Sequence, residues 1–316
     1  MSLKTALLWI ALALAASVAS AAPEDVIHGS DHFQFTYQLT IPPLTGPGRM
    51  WVPLAKSGPF QTVSAATVSS PIPYTQISDR DFHNAILVFT PGPGDAGKQI
   101  SIKYDVSRKE QAAYPASAAD AARFLEPDRL VPINNTFRGL AGDALKRSPP
   151  DDLARGRVLY DHVLARMKYD KSGVGWGHGD AQYACDARAG NCTDFHSYFM
   201  ALARSAGIPA RFEIGFTIPA GTDSGRIAGY HCWAEFLADG KWVPVDISEA
   251  SRNPALADYY FGHHPANRFE LSAGRDLVVD PAPAGGPINF LVYPLLESAG
   301  QPVPVTTEFT FQRVRD

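Results

Sequence analysis

Asn191-Cys192-Thr193-Asp194 opens a run in which Phe195, Tyr198, Phe199, Leu202 and Ala206 recur at helical spacing, and Gly207-Ile208-Pro209 closes it. Asn is among the strongest N-cap residues, so Cys192 falls in the first turn of the expected helix. A thiol there meets the positive end of the helix dipole and backbone N–H groups that lack helical partners, and both favour its thiolate. The same N–H groups suit an oxyanion formed when that sulfur attacks a carbonyl. Farther along, residues 229–236 read as a strand, Asp239-Gly240 as a tight turn and residues 241–246 as a returning strand. His231 and Asp246, 15 residues apart, then come side by side, the carboxylate accepting an imidazole N–H. A Cys, a His and a carboxylate that orients the His are the parts of a thiol acyl-transfer triad.

Other polar residues compete for these roles. His196 lies one helical turn beyond Cys192, but no carboxylate in the sequence is placed to orient it, which points to packing or hydrogen bonding. Asp194, in the first helical turn, reads as a capping and dipole partner. Cys185, Cys192, His196, His231 and Cys232 offer nitrogen and sulfur in the amounts zinc takes. They lack a paired-Cys or HExxH spacing, and no metal is expected. His263-His264 has no matching ligand set nearby and reads as a structural pair, or as part of a cleft rim.

The segments GNCTDFHSYFMALARSAGIPAR, GYHCWAEF and WVPVDIS resemble the three motifs of the transglutaminase-like superfamily of papain-like enzymes, in that family's order of Cys, His, Asp. The similarity covers roughly 150–280, and residues 31–108 look like the β-rich extension of bacterial secreted members. By this resemblance Cys192 is the nucleophile, His231 the general base and acid, and Asp246 the residue orienting His231. It implies attack on a peptide or amide carbonyl, release of an amine, and a thioester passed to water or another amine. No organic cofactor is implied. Animal cross-linking members use calcium, but the sequence has no EF-hand loop or dense acidic cluster. Family members often supply a second oxyanion donor from a side chain upstream of the Cys. Trp176 is the candidate here, either through its indole N–H or as an aromatic lid on the cleft. Strand alternation sends Cys232 to the face opposite His231. A Cys185–Cys232 disulfide would then leave Cys192 free, with a buried Cys185 thiol as the alternative. Peptide or protein amides are the expected substrates, acted on by hydrolysis or by protein cross-linking. A non-catalytic peptide-binding module on the same fold is the competing class.

These side chains need a scaffold to bring them together. Residues 1–21 read as a secretory signal: Lys4 is its only charge, residues 6–18 are apolar, and Ala19-Ser20-Ala21 suits cleavage. That run of roughly 13 residues is too short to span a bilayer, so a secreted or periplasmic protein without stable membrane insertion is expected. Phe33, Phe35, Tyr37, Leu39 and Ile41 alternate with polar residues, as do Ile100, Ile102, Tyr104 and Val106, and residues 85–89 form a short apolar run. Residues 22–110 are thus a β-rich, sandwich-like N-terminal domain. Residues 111–150 read as a connector with short helices. Residues 151–280 are the α+β core, with the Cys helix packed on an antiparallel sheet. It opens with a helix after Pro149-Pro150-Asp151, whose apolar face holds Leu153, Leu159, Tyr160, Val163, Leu164 and Met167. Residues 170–190 form a Gly-rich loop of the length that often carries function. Residues 281–316 return to strand alternation at Val303, Val305, Phe309 and Phe311. The 316 residues carry 28 Lys+Arg against 32 Asp+Glu with no basic run, which argues against nucleic acid as a partner. With 45 % apolar residues the chain can build an ordinary core, and three cysteines are too few for a disulfide scaffold.

Overall fold

The structure, a computed structural model, describes residues 26–315, so the expected signal at 1–21 lies outside the described residues. The chain begins with β1 (Ser30–Thr40), β2 (Gly48–Leu54), β3 (Gln61–Ser69), β4 (Tyr74–Ser78), β5 (Ala85–Phe89) and β6 (Gln99–Lys109). In β1 the side chains of Phe33, Phe35, Tyr37 and Leu39 are buried while their neighbours are not, as period-2 patterning requires. After β7 (Tyr114–Pro115) come α1 (Ala118–Arg123), α2 (Asn135–Leu145) and α3 (Asp152–Arg166). Asp151 caps α3 by accepting the Ala154 N–H at 2.8 Å. Leu153, expected on the apolar face of α3, is instead exposed, because the first turn lies beyond the core contact.

Next follow β8 (Lys168–Tyr169), α4 (Ala181–Ala187), β9 (Ala189–Gly190), α5 (Cys192–Ser205), β10 (Ala210–Thr217) and β11 (Ser224–Arg226). The expected loop over 170–190 thus contains a helix, started by Asp180, whose side chain accepts the N–H groups of Gln182 and Tyr183. The chain ends with β12 (His231–Ala238), β13 (Lys241–Val245), α6 (Ile247–Arg252), β14 (Arg268–Ala273), β15 (Leu295–Ser298), β16 (Gln301–Pro302) and β17 (Thr306–Arg313). Val303 and Val305 precede β17 rather than joining it.

Three five-stranded antiparallel sheets result. Their orders are β11-β17-β1-β6-β3, β16-β15-β2-β5-β4 and β14-β10-β12-β13-β7, and β8 and β9 form a short parallel pair. The C-terminal strands close onto the N-terminal ones: β17 pairs with β1 from Phe33–Arg313 to Thr40–Thr306, and β15 pairs with β2. The architecture is α+β, with helices on one face of the third sheet and the β-rich region on the other. On the helix side, α5 packs against β12, with the Phe199 and Phe236 rings 5.9 Å apart. On the other side, Phe35 lies 4.6 Å from Phe269 and 5.1 Å from Phe216, ring centre to ring centre.

Gly215 marks the tightest backbone approach. The β10–β14 register shifts there, and a Cβ at Gly215 would overlap the carbonyl oxygen of Phe269. Gly215→Ala is expected to destabilise the protein by about 2–3 kcal/mol, the cost of forcing backbone apart in a filled interior. A lowered urea midpoint with an unchanged slope is the expected readout, and an unchanged midpoint would refute the close approach.

Candidate active site

The site forms where the start of α5, the start of β12 and the end of β13 meet. Asn191 caps α5 through its Oδ1, which accepts the Thr193 N–H at 3.0 Å, and Asp194 completes a capping box by accepting the Asn191 N–H at 3.0 Å. Cys192 is the first residue of the helix, 1 % exposed. The hairpin turns at Asp239-Gly240, both at positive φ, which a two-residue turn matched to strand twist requires. That turn pairs Ala234 with Val245, so His231 and Asp246 sit at the same end of the hairpin. Nε2 of His231 lies 2.6 Å from Oδ2 of Asp246. Asp246 faces Nε2, so Nδ1 is the ring nitrogen left for another partner; it lies 3.9 Å from Glu249 Oε1, and the His231 ring helps to lower the Cys192 thiol.

Asp246 is held from several sides. Its Oδ1 caps α6, accepting the Glu249 N–H and the Ser248 hydroxyl, each at 3.0 Å, while Oδ2 also accepts Arg268 Nη2 at 2.8 Å. Arg268 itself is 1 % exposed. Burial opposes ionisation of Asp246, but the charges of His231 and Arg268 outweigh it and hold the carboxyl well below its usual range. Burial likewise disfavours an imidazolium at His231, yet the Asp246 charge and hydrogen bond raise this ring to about 10. Burial pushes the Cys192 thiol up, but hydrogen bonds from Cys232 and His231 prevail and lower it to about 5. Both directions favour a thiolate at Cys192 and an imidazolium at His231.

The Gly-rich loop is tied to this centre. Asp194 accepts the Gly177 and Gly179 N–H groups at 2.7 and 3.1 Å, and buried Arg275 joins Ser197 Oγ at 2.7 Å to the Gly179 carbonyl at 3.0 Å. Gly177 has φ +85°, a conformation that suits glycine, and its position lies against Asn191 and Tyr230. Trp176, half-buried, precedes it in this loop. Asn191 Nδ2 donates to the Tyr230 hydroxyl at 2.8 Å, and the Tyr230 N–H donates to the Tyr293 hydroxyl at 3.1 Å.

The structure corrects several sequence expectations. Cys185 and Cys232 are not joined: all three cysteines are free thiols. Cys185, on α4, is close enough to Tyr198 to raise its hydroxyl, whereas Cys232 lies 3.6 Å from His196 Nδ1. Alternation does turn Cys232 away from His231, and α5 covers that face with His196 against the Cys232 sulfur. His196 does have a carboxylate neighbour, Asp246 Oδ1 at 3.7 Å; its Nε2 nevertheless accepts the Ile247 N–H at 3.2 Å. Burial lowers this ring to about 4 and keeps it neutral. His264 is fully buried beneath the sheet rather than at a rim, with Nε2 3.2 Å from the Val245 carbonyl oxygen.

Among the described residues, Glu213, Glu235 and His264 bring potential ligand atoms within 4.8 Å of one another. Glu235 is already bound by Gln111, Tyr114 and Arg211, and Glu213 accepts the Trp233 indole N–H at 2.6 Å. The Arg211 guanidinium supplies the positive charge there. Arg268 and Tyr230 went unnoticed in the sequence. Tyr230 could have been found from its place directly before His231, but nothing local marks Arg268.

The profile of the transglutaminase-like superfamily matches residues 141–247, the span that carries α5, β12, β13 and Asp246. Over this core the chain is similar to the transglutaminase-like superfamily. An uncharacterised protein of Haemophilus influenzae is 26 % identical over 319 residues, covering 86 % of each chain. A proposed cysteine protease from Cytophaga hutchinsonii shares the fold at TM-score 0.65 and 16 % identity, covering 91 % of this chain and 92 % of that one. The periplasmic domain of TgpA from Pseudomonas aeruginosa aligns at TM-score 0.38 and 16 % identity, covering 72 % of this chain and 90 % of that one. This last likeness is too loose to argue from. Among the described residues, no helix is long and apolar enough to cross a membrane.

Proposed function

We propose that this protein is an exported cysteine-dependent hydrolase or acyltransferase that acts on peptide or amide carbonyls through a thioester. The observation that carries the reading is the buried Cys192 thiol at the start of α5, whose thiolate His231 favours, together with the His231 imidazole whose Nε2 lies 2.6 Å from the Asp246 carboxylate. The Cys192 thiolate adds to the carbonyl carbon, and the oxyanion is met by the first N–H of α5. Trp176 is the candidate second donor from the loop that Asp194 anchors. The C–N bond then breaks as the His231 imidazolium gives its proton to the departing amine, leaving the acyl group on sulfur. Neutral His231 next takes a proton from water or an acceptor amine, which attacks the thioester and frees Cys192. Asp246 keeps the ring in place and stabilises its charge throughout.

Water is the favoured acceptor, because the apolar segment 6–18 followed by small residues supports export into dilute aqueous surroundings. Protein cross-linking is the alternative, and amine incorporation distinguishes the two. The mature protein incubated with a peptide and amide library is expected to release amines, with or without an added primary amine. Absence of turnover across the library, together with iodoacetamide labelling at an ordinary thiol rate, would favour a binding module instead.

The pH dependence has a definite form. Below about 5 Cys192 is protonated and cannot attack, and above about 10 His231 has lost the proton the leaving amine needs. A plot of kcat/KM against pH is therefore expected to be bell-shaped, with a plateau between those limbs. A single acid limb near 8 would contradict the thiolate–imidazolium pair.

A further inference from the structure

A cavity of about 570 Å³ lies where the β2–β3 and β4–β5 loops meet α1 and the third sheet. Its volume falls within the range of small-molecule sites, and none of Cys192, His231 and Asp246 lines it. Charge beneath this cavity does not balance. Arg108 and Arg211 are set against three carboxylates, Glu213, Glu235 and Glu270, which leaves one negative charge over. Glu235 is fully engaged, bonded by Gln111, Tyr114 and Arg211. Glu213, 7 % exposed, accepts the Trp233 indole N–H at Oε2, but its Oε1 has only Arg211 Nη2 at 3.9 Å. The Glu270 carboxylate has only Arg108 Nη1, at 3.6 Å, beyond hydrogen-bond range. Glu270 lies opposite Gly215 in the β10–β14 pair, two residues from Glu213, and both carboxylates line the cavity. Burial and the Glu213 charge push Glu270 up to about 7, as happens to a carboxylate short of a counter-charge. Trp242, 1 % exposed, also lines the cavity, and its indole N–H has no partner. The exposed lining residues Lys56 and Arg123 make the mouth positive, since Asp81 there is held by Arg80. Arg123 uses only Nη1, on the Asp81 carbonyl.

We propose that this cavity binds a small zwitterionic peptide, of dipeptide size, with its ammonium group at Glu213 and Glu270 and its carboxylate toward Arg123 and Lys56. The ammonium supplies the one positive charge the interior lacks, and its three N–H donors meet carboxylate oxygens that have no hydrogen bond. The peptide carbonyl is the acceptor that the Trp242 N–H is missing. Phe60, Tyr114 and Phe124 give the side chains of the ligand an apolar wall. A bare divalent ion fits less well, because it would set two positive charges against Arg108 and Arg211 where one is wanting. A simple anion would meet Glu213 and Glu270. The site is separate from the thioester chemistry and does not rest on it.

The test is isothermal titration of the full chain carrying Cys192→Ala, so that no turnover intrudes, with three probes: the dipeptide Ala-Phe, its N-acetyl form and its C-terminal amide. Ala-Phe is expected to bind one to one. Acetylation, which removes the ammonium charge, is expected to weaken binding by about tenfold to hundredfold, the usual worth of a hydrogen bond to a charged group. Adding Glu270→Gln is expected to weaken Ala-Phe to the same extent, and thermal unfolding should hold, since the change relieves an excess of negative charge. Arg123→Ala, at an exposed position, is expected to weaken Ala-Phe by about twofold to fivefold and to leave the amide unchanged. Ala-Phe that binds as tightly after Glu270→Gln, or no better than its N-acetyl form, refutes the site, and so does a lack of binding at millimolar concentration. If Glu270→Gln does not fold, Arg123→Ala decides: an equal effect on Ala-Phe and its amide, or none on either, refutes the orientation and the proposal with it. Calcium or zinc binding that Glu270→Gln abolishes, with no response to Ala-Phe, would make the cavity a metal site and overturn the peptide. None of these outcomes bears on Cys192, which turnover of the wild type tests.

Discussion

Cys192→Ala is expected to lower amide turnover by about 10⁴- to 10⁶-fold, the scale on which removing the nucleophile of a triad acts. No other side chain in the site can replace it. Cys232 keeps its proton, and His231 faces Asp246 with one nitrogen and the vacated space with the other. The fold should survive the change. Cys192 is a small buried side chain at a helix start, and the cap comes from Asn191 and Asp194 rather than from the sulfur. Removing a buried thiolate also removes a desolvated charge, which offsets part of the lost packing. Thermal unfolding should therefore stay near the wild-type value while turnover disappears. Turnover retained within about tenfold would end the assignment of Cys192, whatever its titration behaviour.

Such a variant can be chosen at all because the sequence carries strong local signals in this region. The start of α5 is written in Asn191 and in the apolar spacing that follows, and the hairpin in Asp239-Gly240. In the β-rich part, β1 and β6 are legible because their side chains alternate between core and exterior, and β5 because it is a short apolar run. What could not be read is whatever depends on a partner distant in the chain. Alternation announces β17 but not that it lies against β1, since a strand pattern specifies a face and not a neighbour. Cys232 is placed on the right face by alternation, yet its meaning changes once α5 lies over that face. Arg268 has no periodicity to mark it, and its role exists only because β14 folds back to bring a guanidinium within 2.8 Å of Asp246. The Gly-rich loop was legible in its glycines and length, but its anchor was not, because two of its N–H groups bond to Asp194, a residue that local rules had already assigned to the helix cap.

Arg268 also decides the second large effect, which concerns Asp246. Asp246→Asn keeps the shape of the side chain and removes its charge. Turnover is expected to fall by about 10³- to 10⁴-fold, because His231 loses both its fixed orientation and the charge that stabilises its protonated form. His231, raised to about 10 by Asp246, should then titrate below neutrality, since burial and Arg268 both disfavour its cation. The alkaline limb of the activity profile should move down with it. Stability should fall as well, by about 3–5 kcal/mol, because Arg268 is left buried with its counter-charge gone. The two losses have different origins and can be separated. Adding Arg268→Met to Asp246→Asn removes the orphaned cation, so most of the stability should return while turnover stays lost. Urea unfolding and peptide turnover measured on both single variants and the double variant complete the cycle. Recovery of turnover in the double variant would mean that Asp246 serves the fold rather than His231. Wild-type turnover in Asp246→Asn alone would remove the carboxylate from the mechanism altogether.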